Sequence, residues 1–191
     1  PLCQCAAGMR IYDRKYLKKL SELCRAKNIL LIADEIAVGF GRAGQMFAFE
    51  HAGIDPDIIC IGKALSGGCL PLSATVVKES VFSTFSDRPK DNTFYHGHTF
   101  AGNPIACAAA NALLNIFKEE NIVNLAAQKG KVMANSMAQL KSIRGVKNIR
   151  SLGMIAAVDI TGPTADKQAQ EIKTHLLARG ILVRPLGKTI Y

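Results

Sequence analysis

No apolar run in the sequence approaches the roughly 20 residues that a membrane-spanning helix needs, which excludes a helical membrane protein as the reading of this chain. Cys-x-x-Cys spacing is missing too. The six cysteines, Cys3, Cys5, Cys24, Cys60, Cys69 and Cys107, lie mostly in apolar runs, a pattern that suits reduced, buried thiols better than disulfides or zinc. Acidic residues are scarce, 15 against 24 lysines and arginines, for a net charge of +9. That excess raises nucleic-acid binding as a function class. Its distribution points elsewhere: one cluster runs from Arg10 to Lys27 on an amphipathic helical pattern, and the other comprises Lys129, Lys131, Lys141, Arg144, Lys147 and Arg150. Both read as solvated faces, and a positive field would also suit an anionic cofactor or substrate. Internal repeats and low-complexity linkers are absent, so solenoids and disordered tails are excluded.

What is present is an ordinary α/β composition. Hydrophobic residues make up 49% and charged residues 20% of 191, enough for a folded chain with a substantial core. Reduced thiols and the lack of a spanning segment agree with a cytoplasmic origin.

The pattern predicts a helix from about Asp13 to Lys27 and a buried parallel strand over Ile29–Ala33. A glycine loop follows, then strands over Ile58–Ile61 and Ser73–Val77 and a short helix from Lys78. Asn103 as N-cap and Pro104 at the first helical position begin a helix through Glu119. A helix from Ile122 to Ile143, strands over Val146–Arg150 and Met154–Ile160, a helix over Ala165–Ala178 and a strand over Ile181–Arg184 complete the expected order. Residues 1–120 and 121–191 read as parts of a larger and a smaller α/β domain.

Two features carry chemistry. Lys63 ends the apolar run Ile58–Ile61 and enters the turn Gly67-Gly68. A lysine desolvated there could form a Schiff base with a carbonyl, and the glycines would let backbone amides approach an anion; a solvated turn lysine is the competing reading. Asp34 and Glu35 follow the run Ile29–Ala33, at the strand edge where open α/β sheets bind ligands. A helix cap or a solvated pair would also explain them. Together a reactive lysine and a carboxylate are what pyridoxal phosphate requires, an amine for its aldehyde and an acid for its ring nitrogen.

A rival is a dinucleotide-binding dehydrogenase, because Gly39-Phe40-Gly41-Arg42-Ala43-Gly44 satisfies G-x-G-x-x-G and Asp57 falls near the expected ribose-binding distance. That fingerprint should open a helix and its acid should end the next strand; here no long helical pattern follows, and Asp57 precedes its strand. A phosphate-binding P-loop fails because Ala64 stands where Ser or Thr is needed. His96 and His98 flank Gly97, but no further His or Cys follows at metal-ligand spacing, so no metal site is expected.

Three ordered blocks now bear on identity: Ile32-Ala33-Asp34-Glu35-Ile36-Ala37-Val38-Gly39-Phe40-Gly41-Arg42, Gly62-Lys63-Ala64-Leu65-Ser66-Gly67-Gly68, and His96-Gly97-His98-Thr99-Phe100-Ala101-Gly102-Asn103-Pro104. Together they resemble the signature blocks of class III pyridoxal-phosphate-dependent aminotransferases, and the likeness runs over essentially the whole chain. It implies an α/β fold of the fold type I pyridoxal-phosphate transferases, with pyridoxal 5′-phosphate as cofactor. By this resemblance Lys63 is the Schiff-base lysine and Asp34 the partner of the ring nitrogen. Ile36 would pack on one ring face, and Thr99 with His98 would bind the cofactor phosphate of a neighbouring subunit, which implies a homodimer. Gly97, Arg184 and Tyr191 would line the substrate site, Arg184 holding a carboxylate with its planar fork.

The tail Arg184-Pro185-Leu186-Gly187-Lys188-Thr189-Ile190-Tyr191 resembles the branch of the class that moves an amino group from S-adenosylmethionine to 8-amino-7-oxononanoate, with another class III aminotransferase using a different donor, or a noncatalytic fragment, as the alternatives; neither nucleic acid nor membrane is an expected partner. Cys5 stands where the family commonly has glycine. Other parts of the family's site would lie upstream of Pro1 and beyond Tyr191, so the chain reads as an internal fragment whose activity alone is doubtful.

Overall fold

The structure, a computed structural model, describes residues 1–86 and 92–191. The described residues form a two-stranded hairpin, two larger sheets and the helices beside them. A hairpin of β1 (Cys3–Gln4) and β2 (Arg10–Ile11) leads into α1 (Arg14–Ala26). Helix α1 begins where Asp13 caps it, its carboxylate accepting the Lys15 N–H at 2.7 Å. A three-stranded sheet follows in the order β3 (Ile32–Asp34), β4 (Ile58–Ile61), β5 (Ala74–Val77), with β3 and β4 parallel and β5 antiparallel. Helix α2 (Glu79–Ser86) follows β5.

Helix α3 (Pro104–Glu119) starts as the sequence predicts: the Asn103 side chain accepts from the amides of Ile105 and Ala106, and Pro104 occupies the first turn. Helix α4 (Ile122–Ala138) is shorter than expected, because its last turn tightens into a 3₁₀ segment over Gln139–Ser142. A second sheet then forms in the order β6 (Val146–Leu152), β7 (Ile155–Ile160), β9 (Thr189–Ile190), β8 (Pro185–Leu186), antiparallel throughout, with α5 (Ala165–Leu177) between β7 and β8.

Three sequence expectations change. The strand at Ile29–Ala33 is shorter and later, and Ile29, Leu30 and Ile32 are each more than half exposed rather than buried. A parallel strand is buried only when both faces of its sheet are covered, and this face is open in the chain. No strand forms at Ile181–Arg184; the residues after it make the β8–β9 hairpin instead. Of the six free cysteines only Cys3 is buried, while Cys69 is exposed and the other four are half-buried.

The core has two main parts. One joins the amino-terminal hairpin to the second sheet: Leu2, Cys3 and Met9 pack with Val38, Ala43, Ala48, Ile155 and Ala157. The other lies between β7, β9 and α5, with Val158, Ile160, Ala165, Ala169 and Ile190. A small cluster of Phe40, Leu65 and Ala110, with Phe117 edge-on to Phe40, holds the segment after β4 against α3. Each buried aliphatic side chain there contributes about 2 kcal/mol of burial.

Candidate active site

Asp34 ends β3, and its register partner Cys60 lies three residues before Lys63 in β4. Parallel pairing therefore carries the carboxylate and the amine to the same sheet edge, the carboxyl end at which open α/β sheets present ligands. Lys63 opens a 3₁₀ turn over Lys63–Ser66 with φ of +45°, a left-handed conformation that costs a side-chain-bearing residue roughly 1 kcal/mol. The turn is held from below: Leu65 and Ser66 are buried, Leu65 packs with Phe40 and Ala110, and Ser66 Oγ donates to the Leu70 carbonyl.

The two adjacent acids take opposite roles. Asp34 is exposed, with Oδ1 accepting the Ile36 N–H at 3.1 Å. Glu35 is 1% exposed and accepts the amides of Ala48 at 2.8 Å and Phe49 at 3.1 Å, which begin a 3₁₀ turn over Ala48–Ala52. Burial pushes its carboxyl up from the ordinary 4.5, while the two amides pull the other way. Sequence allowed either acid to face the site or to cap a turn; Asp34 faces the site and Glu35 caps.

One cleft of about 1260 Å³ is lined by Lys63, Asp34, Ile36, Arg184 and Tyr191. The two from the far end of the chain are locked together by backbone, since Arg184 N–H donates to the Tyr191 carbonyl at 2.8 Å and Tyr191 N–H returns a bond to the Arg184 carbonyl at 3.1 Å. Lys63, Asp34 and Arg184 are exposed, and Ile36 and Tyr191 half-buried. Lys63 is thus not desolvated within this chain, as befits a fragment that lacks part of the family's site. Gly97, His98 and Thr99 do not line the cleft. They stand exposed in an extended loop, and a methyl group on Gly97 would meet nothing within 4 Å.

Several lining residues have no role in the sequence reading. Gln4, Cys5 and Met9 form one wall, Arg42 another, and Met154 and Phe117 complete it. Arg42 ends the block Ile32–Arg42, and Cys5 stands where the family commonly has glycine, so both carry a signal in the sequence. Met154 had none, because it enters through the β6–β7 turn, where its N–H donates to the Arg42 carbonyl at 2.9 Å.

The dinucleotide alternative finds no support in the geometry. The loop Gly39–Gly44 leads only to the short 3₁₀ turn over Ala48–Ala52, and Asp57 accepts the Leu31 N–H at 2.9 Å and binds Lys78 at 3.1 Å. The Leu31 bond first and Lys78 second hold that carboxyl below its ordinary value. Among the described residues no group of three or more His, Cys, Asp or Glu is arranged to hold a metal, and no helix is long and apolar enough to cross a membrane.

Comparison with known proteins agrees on the family. The class III aminotransferase model matches residues 1–191. Adenosylmethionine-8-amino-7-oxononanoate aminotransferase of Helicobacter pylori is 41% identical over 200 residues, covering all of this chain and 45% of the relative. The protein of the same name from Synechococcus elongatus is 40% identical over 194 residues, again covering all of this chain and 45% of the relative. A crystal structure of that aminotransferase from Methanocaldococcus jannaschii superposes with a TM-score of 0.87 at 32% identity, over 96% of this chain and 45% of the other. The chain therefore spans a little under half the length of the curated relatives it matches. The fold is that of the fold type I pyridoxal-phosphate transferases, and pyridoxal 5′-phosphate is the cofactor of the family. By sequence, by structure and by the arrangement of its cleft, the chain belongs to the class III aminotransferases.

Proposed function

We propose that the protein containing this chain transfers an amino group from S-adenosylmethionine to 8-amino-7-oxononanoate, giving 7,8-diaminononanoate in biotin biosynthesis. The observation that carries this reading is the opening of Lys63 and Asp34 into one cleft with Arg184 and Tyr191. The relatives that share the chain's sequence bear the corresponding name.

The residues fit the family's cofactor. The cleft offers an amine and a carboxylate at one sheet edge, and Gly67 and Gly68 leave the wall beside Lys63 free of side chains. Bound there, pyridoxal 5′-phosphate supplies an electron sink that acidifies the substrate's Cα–H. Lys63 Nζ takes that proton and returns it one position away as general acid. Asp34 would hold a proton on the ring nitrogen, and Ile36 would pack on a ring face. Arg184 takes a substrate carboxylate through its guanidinium, beside Tyr191; Gly97, which stands outside this chain's own cleft on the loop of His98 and Thr99, lines the substrate site from a second copy.

His98 and Thr99 reach the phosphate from a second copy of the chain, in a homodimer; their exposure on a loop outside the chain's own cleft supports this. The division at residue 120 between a larger and a smaller domain, and a cytoplasmic location, belong to the same proposal. The six free thiols support the latter.

The test is made on the full-length protein. Borohydride reduction in the presence of pyridoxal phosphate should fix the cofactor on Lys63 by peptide mapping, and incubation with S-adenosylmethionine and the keto acid should yield the diamine. A label elsewhere removes Lys63 from the role. Turnover with lysine but not with S-adenosylmethionine overturns the donor.

A further inference from the structure

Asp159 in β7 is 9% exposed, carries a charge that the cleft chemistry does not use, and is fully satisfied. Arg150 Nη2 donates to its Oδ1 at 2.9 Å, Thr189 Oγ1 to the same oxygen at 2.7 Å, and Asn148 Nδ2 to Oδ2 at 2.9 Å. Arg150 continues outward. Its Nε donates to the Met9 carbonyl at 2.9 Å and its Nη2 to the Gly8 carbonyl at 2.6 Å. The irregular register between Lys147 and Arg150, with Asn148 at φ of +50°, re-aims the strand, and Arg150 Nη1 closes on the Asn148 carbonyl at 2.6 Å.

The three segments tied by this pair are among those that wall the cleft. Gly8 and Met9 end the stretch that carries Gln4 and Cys5 into it. Residue 159 and its strand lead back to Ile155 and Met154 on a second wall. Thr189 lies opposite Asp159 in the sheet register and two residues before Tyr191, whose backbone is bonded on both sides to Arg184. We propose that Arg150 and Asp159 are positioning residues that set the Arg184–Tyr191 wall at its distance from the amino-terminal turn, and so tune recognition of the substrate carboxylate. This rests on the reading of Arg184 as the carboxylate-binding residue.

The physical basis is that a buried carboxylate with every polar atom satisfied, paired to a half-buried guanidinium, is held in one geometry, whereas removal of one partner leaves the other charge unpaired. A displacement of about 1 Å at a residue that orients substrate changes rates by up to about 10²-fold. Neither Arg150 nor Asp159 lines the cleft, so their effect travels through backbone: from Asp159 by way of Thr189 to the two bonds between Arg184 and Tyr191, and from Arg150 to Met9, which itself lines the cleft.

The experiment compares full-length wild type with Asp159→Asn, Arg150→Lys and the milder Thr189→Val, which keeps the ion pair and the backbone pairing of β7 with β9 and removes only the Thr189 hydroxyl bond to Asp159. Two readouts are taken. The first is amide hydrogen exchange without substrate; the second is KM and kcat for the keto acid and for its methyl ester. Asp159→Asn should speed exchange at Arg184 and Tyr191 about tenfold, and raise KM for the acid about tenfold with kcat within about threefold and the ester unaffected. Thr189→Val should move the same quantities less, and it decides the matter if the other two variants fail to fold. Equal effects on acid and ester, or unchanged exchange in folded variants, overturn the proposal. A wild type that converts neither substrate refutes the functional reading instead, and the exchange data then judge the positioning role alone.

Discussion

Gly153 and Gly130 are in backbone contact: a methyl group on Gly130 would stand 2.7 Å from the carbonyl carbon of Gly153, and one on Gly153 would overlap the backbone of Ala43 and Gly44. The β6–β7 turn is thereby pressed between α4 and the loop that carries Arg42. Gly153 is also at φ of +56°, so its position requires glycine for both space and conformation. The crossing brings Met154 and Arg42 into the same wall of the cleft.

Gly153→Ala should therefore cost about 3 kcal/mol or more, from overlap with backbone that cannot rotate away plus left-handed strain. Gly53→Ala, at φ of +60° with nothing within 4 Å of the new methyl, should cost only about 1 kcal/mol. Urea denaturation of both variants checks the difference, and equal losses would mean that the contact does not matter.

Glu35 gives a pH-dependent signature. Its folded carboxyl is raised above the ordinary 4.5 by burial, so the native state binds more protons than the unfolded state between that value and the raised one. Stability from this group then falls as pH rises through that window and is level above it. Glu35→Gln, which places an amide donor against the Ala48 or Phe49 N–H, should lose about 1–3 kcal/mol near neutrality. Relative to that variant, wild type should gain stability as pH is lowered toward 4.5. A pH-independent difference would contradict the burial argument.

Asp34→Asn separates chemistry from folding. The amide oxygen can still accept from the Ile36 N–H, so the melting temperature should hardly move. Turnover of the full-length protein should fall by about 10²-fold or more, because an amide cannot keep a ring nitrogen protonated. Retained turnover would remove Asp34 from its assigned place.

Thiol reactivity should follow exposure and burial. Cys69 is exposed and should be alkylated first. Burial, with Cys5 adding to it, pushes the Cys3 thiol up to about 12, so Cys3 should react last. Time-resolved mass spectrometry with iodoacetamide at neutral pH gives the order, and a Cys3 that keeps pace with Cys69 would count against the packing of the amino-terminal hairpin.

Sequence alone determined whatever depends on neighbours along the chain. The caps at Asp13 and Asn103 and the proline at the first turn of α3 are legible because their hydrogen bonds and backbone preferences close within a few residues, and the strand leading to Lys63 because its apolar run is contiguous. The blocks around Asp34 and Lys63 are legible as contiguous stretches that resemble the family's signatures. Tertiary structure decided what depends on distant partners. Asp34 and Glu35 are chemically near-equivalent neighbours, and only the arrival of the Ala48 and Phe49 amides makes one of them a buried cap. The two-residue strands β8 and β9 exist through pairing with each other and with β7, which no local propensity encodes. Arg150, a surface charge by sequence, becomes a bridge to Gly8 and Met9 because the second sheet packs on the amino-terminal hairpin, more than a hundred residues away along the chain, and burial there makes every unpaired polar atom costly.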